Sequence, residues 1–273
     1  MKPNIIVIGA QKAGSTWFHA MLGDHPDIFM SETKELQYFD QGDHTDDGFT
    51  KYLENFADGS SLAYRGESTP GYFWTSRKRV VIPQRIKHRL GNDVRFFLAL
   101  RNPVERAISA YWHHLRHGRL DLTKSFMDNF RAAVGDIEQI GHYKQHWLDW
   151  RAVYGREYFF VEQFDNIKTD GQSVAQAAYA FLGLEPHIFE EQGTQFNRGL
   201  KYKKVGDAIT VVGELHNRIH KRYPDLNLDD RESLPGLRIP DSAIAELYEV
   251  YAEDIAFCET EIFGTPLGWE PRS

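Results

Sequence analysis

A single cysteine, Cys258, stands in the 273 residues. That excludes an intrachain disulfide and a multi-cysteine zinc site and fits a reducing compartment, with Cys258 itself expected as a helix residue of the core. No stretch approaches the ~18 consecutive apolar residues that a membrane-spanning helix needs, and the lead Met1-Lys2-Pro3-Asn4 runs into an apolar segment too short for a signal peptide or anchor. The expectation from these absences is a soluble, cytoplasmic protein. An excess of positive charge is also missing: the formal net charge is −7, which argues against a general nucleic-acid binder and makes any anion site local. Internal repeats and low-complexity segments are lacking as well. Apolar and aromatic residues, 41% and 14% of the chain, are enough for a substantial core in one domain spanning 1–273.

Two apolar segments, Ile5 to Ile8 and Val94 to Leu100, read as strands buried on both faces, and Glu157 to Glu162 as a third strand. Each is followed by a helical pattern. The first helix carries Trp17, Met21 and Leu22 and stops near Gly23 to Pro26. The second is opened by Asn102 and Pro103 and ended by Gly118, and the third covers about Val174 to Leu182 and stops at Gly183. Strands alternating with helices predict an α/β fold with a central, mainly parallel sheet flanked by helices. A last helix shows one apolar stripe, Ile244, Leu247, Tyr248, Tyr251 and Ile255, with Asp241 or Ser242 as its cap. Gln41 to Ser61 and Gln192 to Ile239 read as loop-rich, and loops of such length over an α/β sheet usually select substrate.

The chemistry starts where the first strand ends. Gly9-Ala10-Gln11-Lys12-Ala13-Gly14-Ser15-Thr16 passes straight into a helix, and a glycine-framed helix N-terminus offers amides and a positive dipole end to an anion. The Walker spacing of Gly9 and Gly14 is kept, but Ser15 takes the lysine position and the lysine has moved inside, to Lys12. No strand ending in a magnesium carboxylate is evident after it, so the loop reads as holding an anion with its own lysine and hydroxyls, without a metal. Glu35, in Ser31-Glu32-Thr33-Lys34-Glu35, is the candidate general base. Gly66 to Phe73 reads as a turn-rich stretch lining a cleft. Arg101, at a strand end, and Ser109, two turns into the next helix, suit a second phosphate. In that same helix Arg106 reads as a surface or ion-pair arginine, Tyr111 as a packing aromatic, and His113, His114 and His117 as acceptor-side or surface groups. The basic run Arg77, Lys78, Arg79, Arg85, Lys87 and Arg89 reads as a solvated face before it reads as an anion guide.

Taken together and in this order, the loop Gln11 to Trp17, the Lys34-Glu35 pair and the segment Arg101 to Tyr111 resemble the sulfotransferases that use 3′-phosphoadenosine 5′-phosphosulfate (PAPS). The branch with the heparan sulfate N- and O-sulfotransferase domains is the most similar. The resemblance implies a P-loop-like, three-layer fold. It gives Lys12, Ala13, Gly14, Ser15, Thr16 and Trp17 the 5′-phosphosulfate, Arg101 and Ser109 the 3′-phosphate, and Glu35 the role of base. It further makes Arg198, Gly199 and Lys201 part of a basic loop over the 3′-phosphate, and Gly141 to Trp150 part of a substrate-side helix. That branch often has a lysine where this chain has Ser68 and carries a disulfide that Cys258 alone cannot form, so a heparan acceptor does not follow. The implied reaction is in-line sulfuryl transfer to a hydroxyl or amine of a small-molecule, lipid or saccharide acceptor, leaving adenosine 3′,5′-bisphosphate. A P-loop kinase or nucleotide hydrolase, and a non-catalytic PAPS sensor, remain the alternatives at this point.

Overall fold

Ile5, Ile6, Val7 and Ile8 are each fully buried, as four consecutive apolar residues must be in a strand covered on both faces. The computed structural model describes residues 1–75, 81–132, 134–190, 202–211, 217–228, 230 and 233–271, with backbone only at 217 and 218. Elements follow one another as β1 (Ile5–Gly9), α1 (Ser15–Asp24), β2 (Ile28–Met30), α2 (Tyr38–Gln41), α3 (Asp46–Glu54), β3 (Tyr64–Ser68), α4 (Ile82–Leu90) and β4 (Arg95–Leu100). Then come α5 (Pro103–Arg116), α6 (Phe126–Arg131), α7 (Tyr143–Arg151), β5 (Phe159–Gln163), α8 (Phe164–Thr169), α9 (Gly171–Leu182), β6 (Tyr202–Val205) and β7 (Ala208–Val211). Last are α10 (Asn217–Arg222), β8 (Arg238–Pro240), α11 (Asp241–Val250) and α12 (Ala252–Phe257).

The chain divides into two compact units, Met1–Arg101 with Gln145–Phe196, and Asn102–Lys144 with Asn197–Ser273. The first is built on five parallel strands in the order β2-β3-β1-β4-β5, flanked by helices. Because β1 leads to β2 and β3 on one side and β4 and β5 lie on the other, the order reverses at β1, where an open α/β sheet forms its ligand crevice. The β1–β4 register shifts between Val7 and Gly9, so β1 leaves the ladder just where its loop begins. Phe96 to Leu100 are fully buried, and Phe96 packs on Trp150, Tyr154 and Phe159. Trp147 and Trp150 are thereby core residues, which is the structural use of that aromatic stripe.

In the second unit α5 is opened as its sequence dictates. Asn102 Oδ1 accepts the Val104 N–H at 2.9 Å, Pro103 occupies the first turn, and Gly118 follows the helix end at φ 64°. Its apolar face, with Tyr111, Trp112 and Leu115, packs with Phe126, Phe130, Leu247 and Tyr251. Tyr111 is the packing aromatic expected, its hydroxyl donating to the Gly236 carbonyl at 2.9 Å. Arg106 departs from expectation: it is fully buried, donating to the Ile137 carbonyl, and is no surface arginine.

Other expectations shift. The third strand starts at Phe159, because Arg156–Tyr158 forms a single 3-10 turn first. Gly66-Glu67-Ser68 is not a loop but the end of β3. Within 41–61, Thr45 caps α3 by accepting the Gly48 N–H at 3.2 Å, and within 192–239 the described part includes β6 and β7, which form an antiparallel sheet with β8. The final helix is two, broken at Tyr251, and α11 starts after Pro240 with no side-chain cap, so neither Asp241 nor Ser242 plays that part. A π-helical turn over Cys258–Phe263 follows, with Cys258 buried as expected and burial pushing its thiol pKa up.

Candidate active site

Beyond β1 the main chain folds into a cradle. Ala10 N–H donates to the Ala99 carbonyl at 2.8 Å and Ala13 N–H to the Ala10 carbonyl at 3.2 Å, tying the loop to β4 and to itself. Glycine is required twice. A Cβ at Gly9 would stand 2.7 Å from Phe73 Cβ, and one at Gly14, held at φ 103°, would stand 3.1 Å from the Phe164 ring. Gly14 is the N-cap of α1 and no side chain caps the helix; the first intrahelical bond runs from Phe18 N–H to the Gly14 carbonyl. The amides of Ser15, Thr16 and Trp17 therefore precede the ladder and point out of the helix end. No acidic residue occupies that first turn, so its positive dipole end is not neutralised locally.

The residues assigned to this loop divide by side chain. Ala13 is sealed in the core, and Trp17 is buried edge-on against Phe18 and Phe189, so both contribute main chain to the cradle. Thr16 is exposed, and its hydroxyl accepts from Lys34 Nζ at 2.6 Å. Ser15 is buried and its carbonyl accepts from Ser68 Oγ at 3.4 Å. Lys34 was read from sequence only as Glu35's neighbour; the structure puts its ammonium at the loop, with its pKa lowered by burial and partly restored by Glu35. One turn on from Thr16, His19 has its pKa lowered to about 4, first by burial and then by the Lys34 charge. It is therefore neutral at pH 7, and its Nδ1 is buried with no hydrogen-bond partner among the described residues. The spacing of His19 from Ser15 and Thr16 on one helix face was the available signal for it.

Lys12 and Glu35, the two residues nominated for chemistry, both adopt left-handed backbone, at φ 65° and 60°, and Gln37 does so at 55°. Non-glycine residues rarely take this conformation, and they concentrate at functional sites. Glu35 is exposed, and its N–H donates to the Ser68 carbonyl at 2.9 Å. One position before its end, β3 carries a carboxylate. Glu67 lies in β3 opposite Ile6 of β1, fully buried. It accepts from Thr69 Oγ1 at 2.6 Å and from the hydroxyls of Tyr52 and Tyr72 at 2.8 and 3.2 Å. Burial pushes its pKa up to about 7 in spite of those three donors.

Arg101 follows β4 directly, and its guanidinium lies 5.1 Å from the centre of the Phe164 ring, the same ring that crowds Gly14. Phe164, which sequence reasoning passed over, thus touches both the 5′ loop and the arginine assigned to the 3′-phosphate. Ser109, half-buried on α5, belongs to the second unit. Arg198, Gly199 and Lys201 lie outside the described residues, as do Arg77, Lys78 and Arg79. The rest of the basic run is engaged locally. Arg85 donates to the Phe39 carbonyl at 2.9 Å, Arg89 to Asp46 and the His44 carbonyl, both at 2.6 Å, and Lys87 lies over the Tyr154 ring. These partners favour the structural reading of that run.

Comparison with known proteins bears on the family and the fold. Bifunctional heparan sulfate N-deacetylase/N-sulfotransferase 2 of Bos taurus is 24% identical over 254 residues, covering 84% of this chain and 27% of the relative. Heparan sulfate glucosamine 3-O-sulfotransferase 6 of Mus musculus is 27% identical over 238 residues, covering 82% of this chain and 66% of the relative. The chain thus spans about a quarter of the first and just under two-thirds of the second. Among solved structures, a sulfotransferase from Alicyclobacillus acidocaldarius aligns over 98% of this chain and 99% of its own, with a TM-score of 0.67 and 22% identity. The sulfotransferase domain of the curacin biosynthetic pathway aligns over 93% and 97%, with a TM-score of 0.53 and 14% identity. These two likenesses concern the fold. The profile of the sulfotransferase domain matches residues 2–204, a span that starts ahead of β1 and contains the cradle, Glu35, Glu67 and Arg101, and on that match the chain belongs to the sulfotransferase family.

Proposed function

We propose that this chain transfers the sulfuryl group of PAPS to a hydroxyl or amine by in-line displacement. The observation that carries the reading is the uncapped N-terminus of α1, framed by Gly9 and Gly14, with Lys12 in the loop itself and the Lys34 ammonium bonded to the Thr16 hydroxyl. A cradle of main-chain amides with close glycine approaches and two lysines fits a 5′-phosphosulfate. PAPS brings an activated sulfuryl group, whose bond to the phosphate oxygen breaks as the acceptor atom bonds sulfur. Glu35 takes the acceptor proton; Lys12 offsets the charge growing on the bridging oxygen; the amides of residues 15–17 with the Ser15 and Thr16 hydroxyls hold the 5′-phosphate. Lys34, hydrogen-bonded to Thr16, adds positive charge to the same rim, and Arg101 serves the 3′-phosphate.

On the acceptor side, a cavity of about 300 Å³ is bounded by Tyr38, Phe39, His44 and Val81 and by Arg85 and Arg89. Tyr38 and Phe39 follow Glu35 in sequence, and that adjacency is what supports reading this cavity as the acceptor's. Its aromatic walls and engaged arginines suit a hydroxylated small molecule, lipid or saccharide with an apolar face better than a polyanion. The heparan sulfate acceptors named for the relatives come under the same test.

Calorimetric titration with adenosine 3′,5′-bisphosphate, and separately with ATP and Mg²⁺, tests the donor site. Tight, metal-independent binding of the bisphosphate is expected, weakened at least tenfold in Arg101→Ala; preference for Mg-ATP sinks the reading. Ser109→Ala is measured alongside and is expected to weaken binding less than Arg101→Ala. Transfer of radiolabelled sulfate from PAPS to N-desulfated heparan, 2-naphthol and decanol then tests the reaction. Bisphosphate binding with no transfer to any of the three would favour a sensor.

A further inference from the structure

Glu67 is a buried carboxylate that the transfer chemistry does not use, and its surroundings are unusually specific. The groups facing it come from three elements: Tyr52 on α3, Thr69 and Tyr72 on the turn after β3, and the Asp40 carboxylate on α2, which adds like charge. Behind two of its three hydroxyl partners stands a main-chain amide. Gln37 N–H donates to Thr69 Oγ1 at 3.3 Å, and Phe39 N–H donates to the Tyr72 hydroxyl at 3.2 Å. With Glu35 N–H on the Ser68 carbonyl, residues 35, 37 and 39 are each tied to the 68–72 turn. Two of these three are in the left-handed region, a conformation that costs about 1–2 kcal/mol per residue and persists only where the surroundings impose it.

The direction of the bonds matters. An ionised carboxylate only accepts, so all three hydroxyls turn their protons toward Glu67 and leave lone pairs for the amides behind them. A protonated carboxyl donates once, which turns one of the three hydroxyls around; at Thr69 or Tyr72 the turned proton competes with the amide of Gln37 or Phe39, whereas at Tyr52 it meets none. A buried charge is also a costly tie where an apolar contact or an amide would have served. We propose that Glu67, acting through Thr69 and Tyr72, is the positioning residue for Glu35, fixing the backbone of residues 35–39 so that the Glu35 carboxylate meets the acceptor proton. The inference rests on the reading of Glu35 as base given above. It assigns Glu67 no contact with donor or acceptor. Since Glu67 titrates near pH 7, the positioned state is lost as pH falls through that value.

The test uses the full chain as wild type, Thr69→Val, Thr69→Ser, Glu67→Gln and Glu35→Gln. Three quantities are read: kcat and donor KM for radiolabelled transfer to whichever of the three acceptors above the wild type sulfates, the dissociation constant for adenosine 3′,5′-bisphosphate, and amide hydrogen exchange over residues 33–40. Thr69→Val and Glu67→Gln are expected to lower kcat at least tenfold with donor KM and bisphosphate affinity within about twofold. They should also raise exchange at Gln37 and Phe39 at least tenfold while the β1 amides stay protected. Thr69→Ser, which keeps the hydroxyl, restores most of the rate. In Glu67→Gln the fall of kcat on acidification through pH 7 disappears. Should Glu67→Gln fail to fold, the Thr69 pair decides. Transfer abolished in Glu35→Gln but unchanged in folded Thr69→Val overturns this inference alone. So does a loss in Thr69→Val that Thr69→Ser does not restore, or one that appears in donor KM instead of kcat. A wild type that transfers no sulfate, or a Glu35→Gln variant with full kcat, overturns the reading beneath it and the role of Glu67 with it.

Discussion

The loop after β1 and the segment Lys34 to Phe39 both hold a non-glycine residue in left-handed backbone, Lys12 in one and Glu35 in the other, and they do so by different means. The loop is held by the sheet's main chain and by glycines that let neighbouring side chains come close. The segment has one main-chain tie, Glu35 N–H to the Ser68 carbonyl, and is otherwise held by side chains, a carboxylate and its ring of hydroxyls. On the proposed reading, the site for an invariant group, a phosphate, is made of backbone, whose geometry does not depend on pH, and the site that handles a proton rests on a group that itself titrates.

The largest break in this comparison is expected at Glu35 itself. Glu35→Gln should lower kcat by about 10² to 10⁴ while bisphosphate affinity is kept, because proton transfer is lost and the cradle is untouched. Gly14→Val acts on the other region. A side chain there is strained at φ 103° and meets Phe164, so affinity for adenosine 3′,5′-bisphosphate should drop by about a hundredfold in calorimetry, roughly 3 kcal/mol. The third sharpening concerns stability. Glu67 is raised in the fold from 4.5 to about 7, so the folded state binds more protons than the unfolded one between those values. Stability therefore declines as pH rises from 4.5 to 7, by up to about 3 kcal/mol, and is flat from this source outside that window. Chemical denaturation at pH 5 and pH 8 should show that slope in wild type and its loss in Glu67→Gln. The smallest effect is expected at Phe164→Leu, which removes the ring under Arg101. Bisphosphate affinity should fall about two- to fivefold, in line with a cation–π contact of ~0.5–1 kcal/mol.

The same contrast explains what could be read from the sequence. β1, β4 and the helices after them were legible because uninterrupted apolar runs and glycine stops record burial directly, and Asn102-Pro103 opens α5 as its letters say. β3 was not, since Tyr64-Arg65-Gly66-Glu67-Ser68 is polar and holds a glycine; it is a strand because it pairs in parallel with both β1 and β2, its buried Glu67 being satisfied by three hydroxyls. The role of Lys34 escaped for a like reason, arising from its tertiary placement against Thr16, and that of His19 follows from burial and from the Lys34 charge. β6, β7 and β8 are of three or four residues each and too short to show a period. The break at Tyr251 lies in a stripe that is continuous by period. There the Tyr251 hydroxyl donates to the Glu138 carbonyl at 2.9 Å, a partner far away in sequence.

The lone thiol gives the second unit a reporter of its own. Cys258 is inaccessible and held protonated by burial, so thiol reagents should find it only when the α12 end of the chain opens. With no second thiol among the 273 residues to confuse the signal, the rate of labelling in native buffer counts those openings directly. It does so with no substitution anywhere in the sequence.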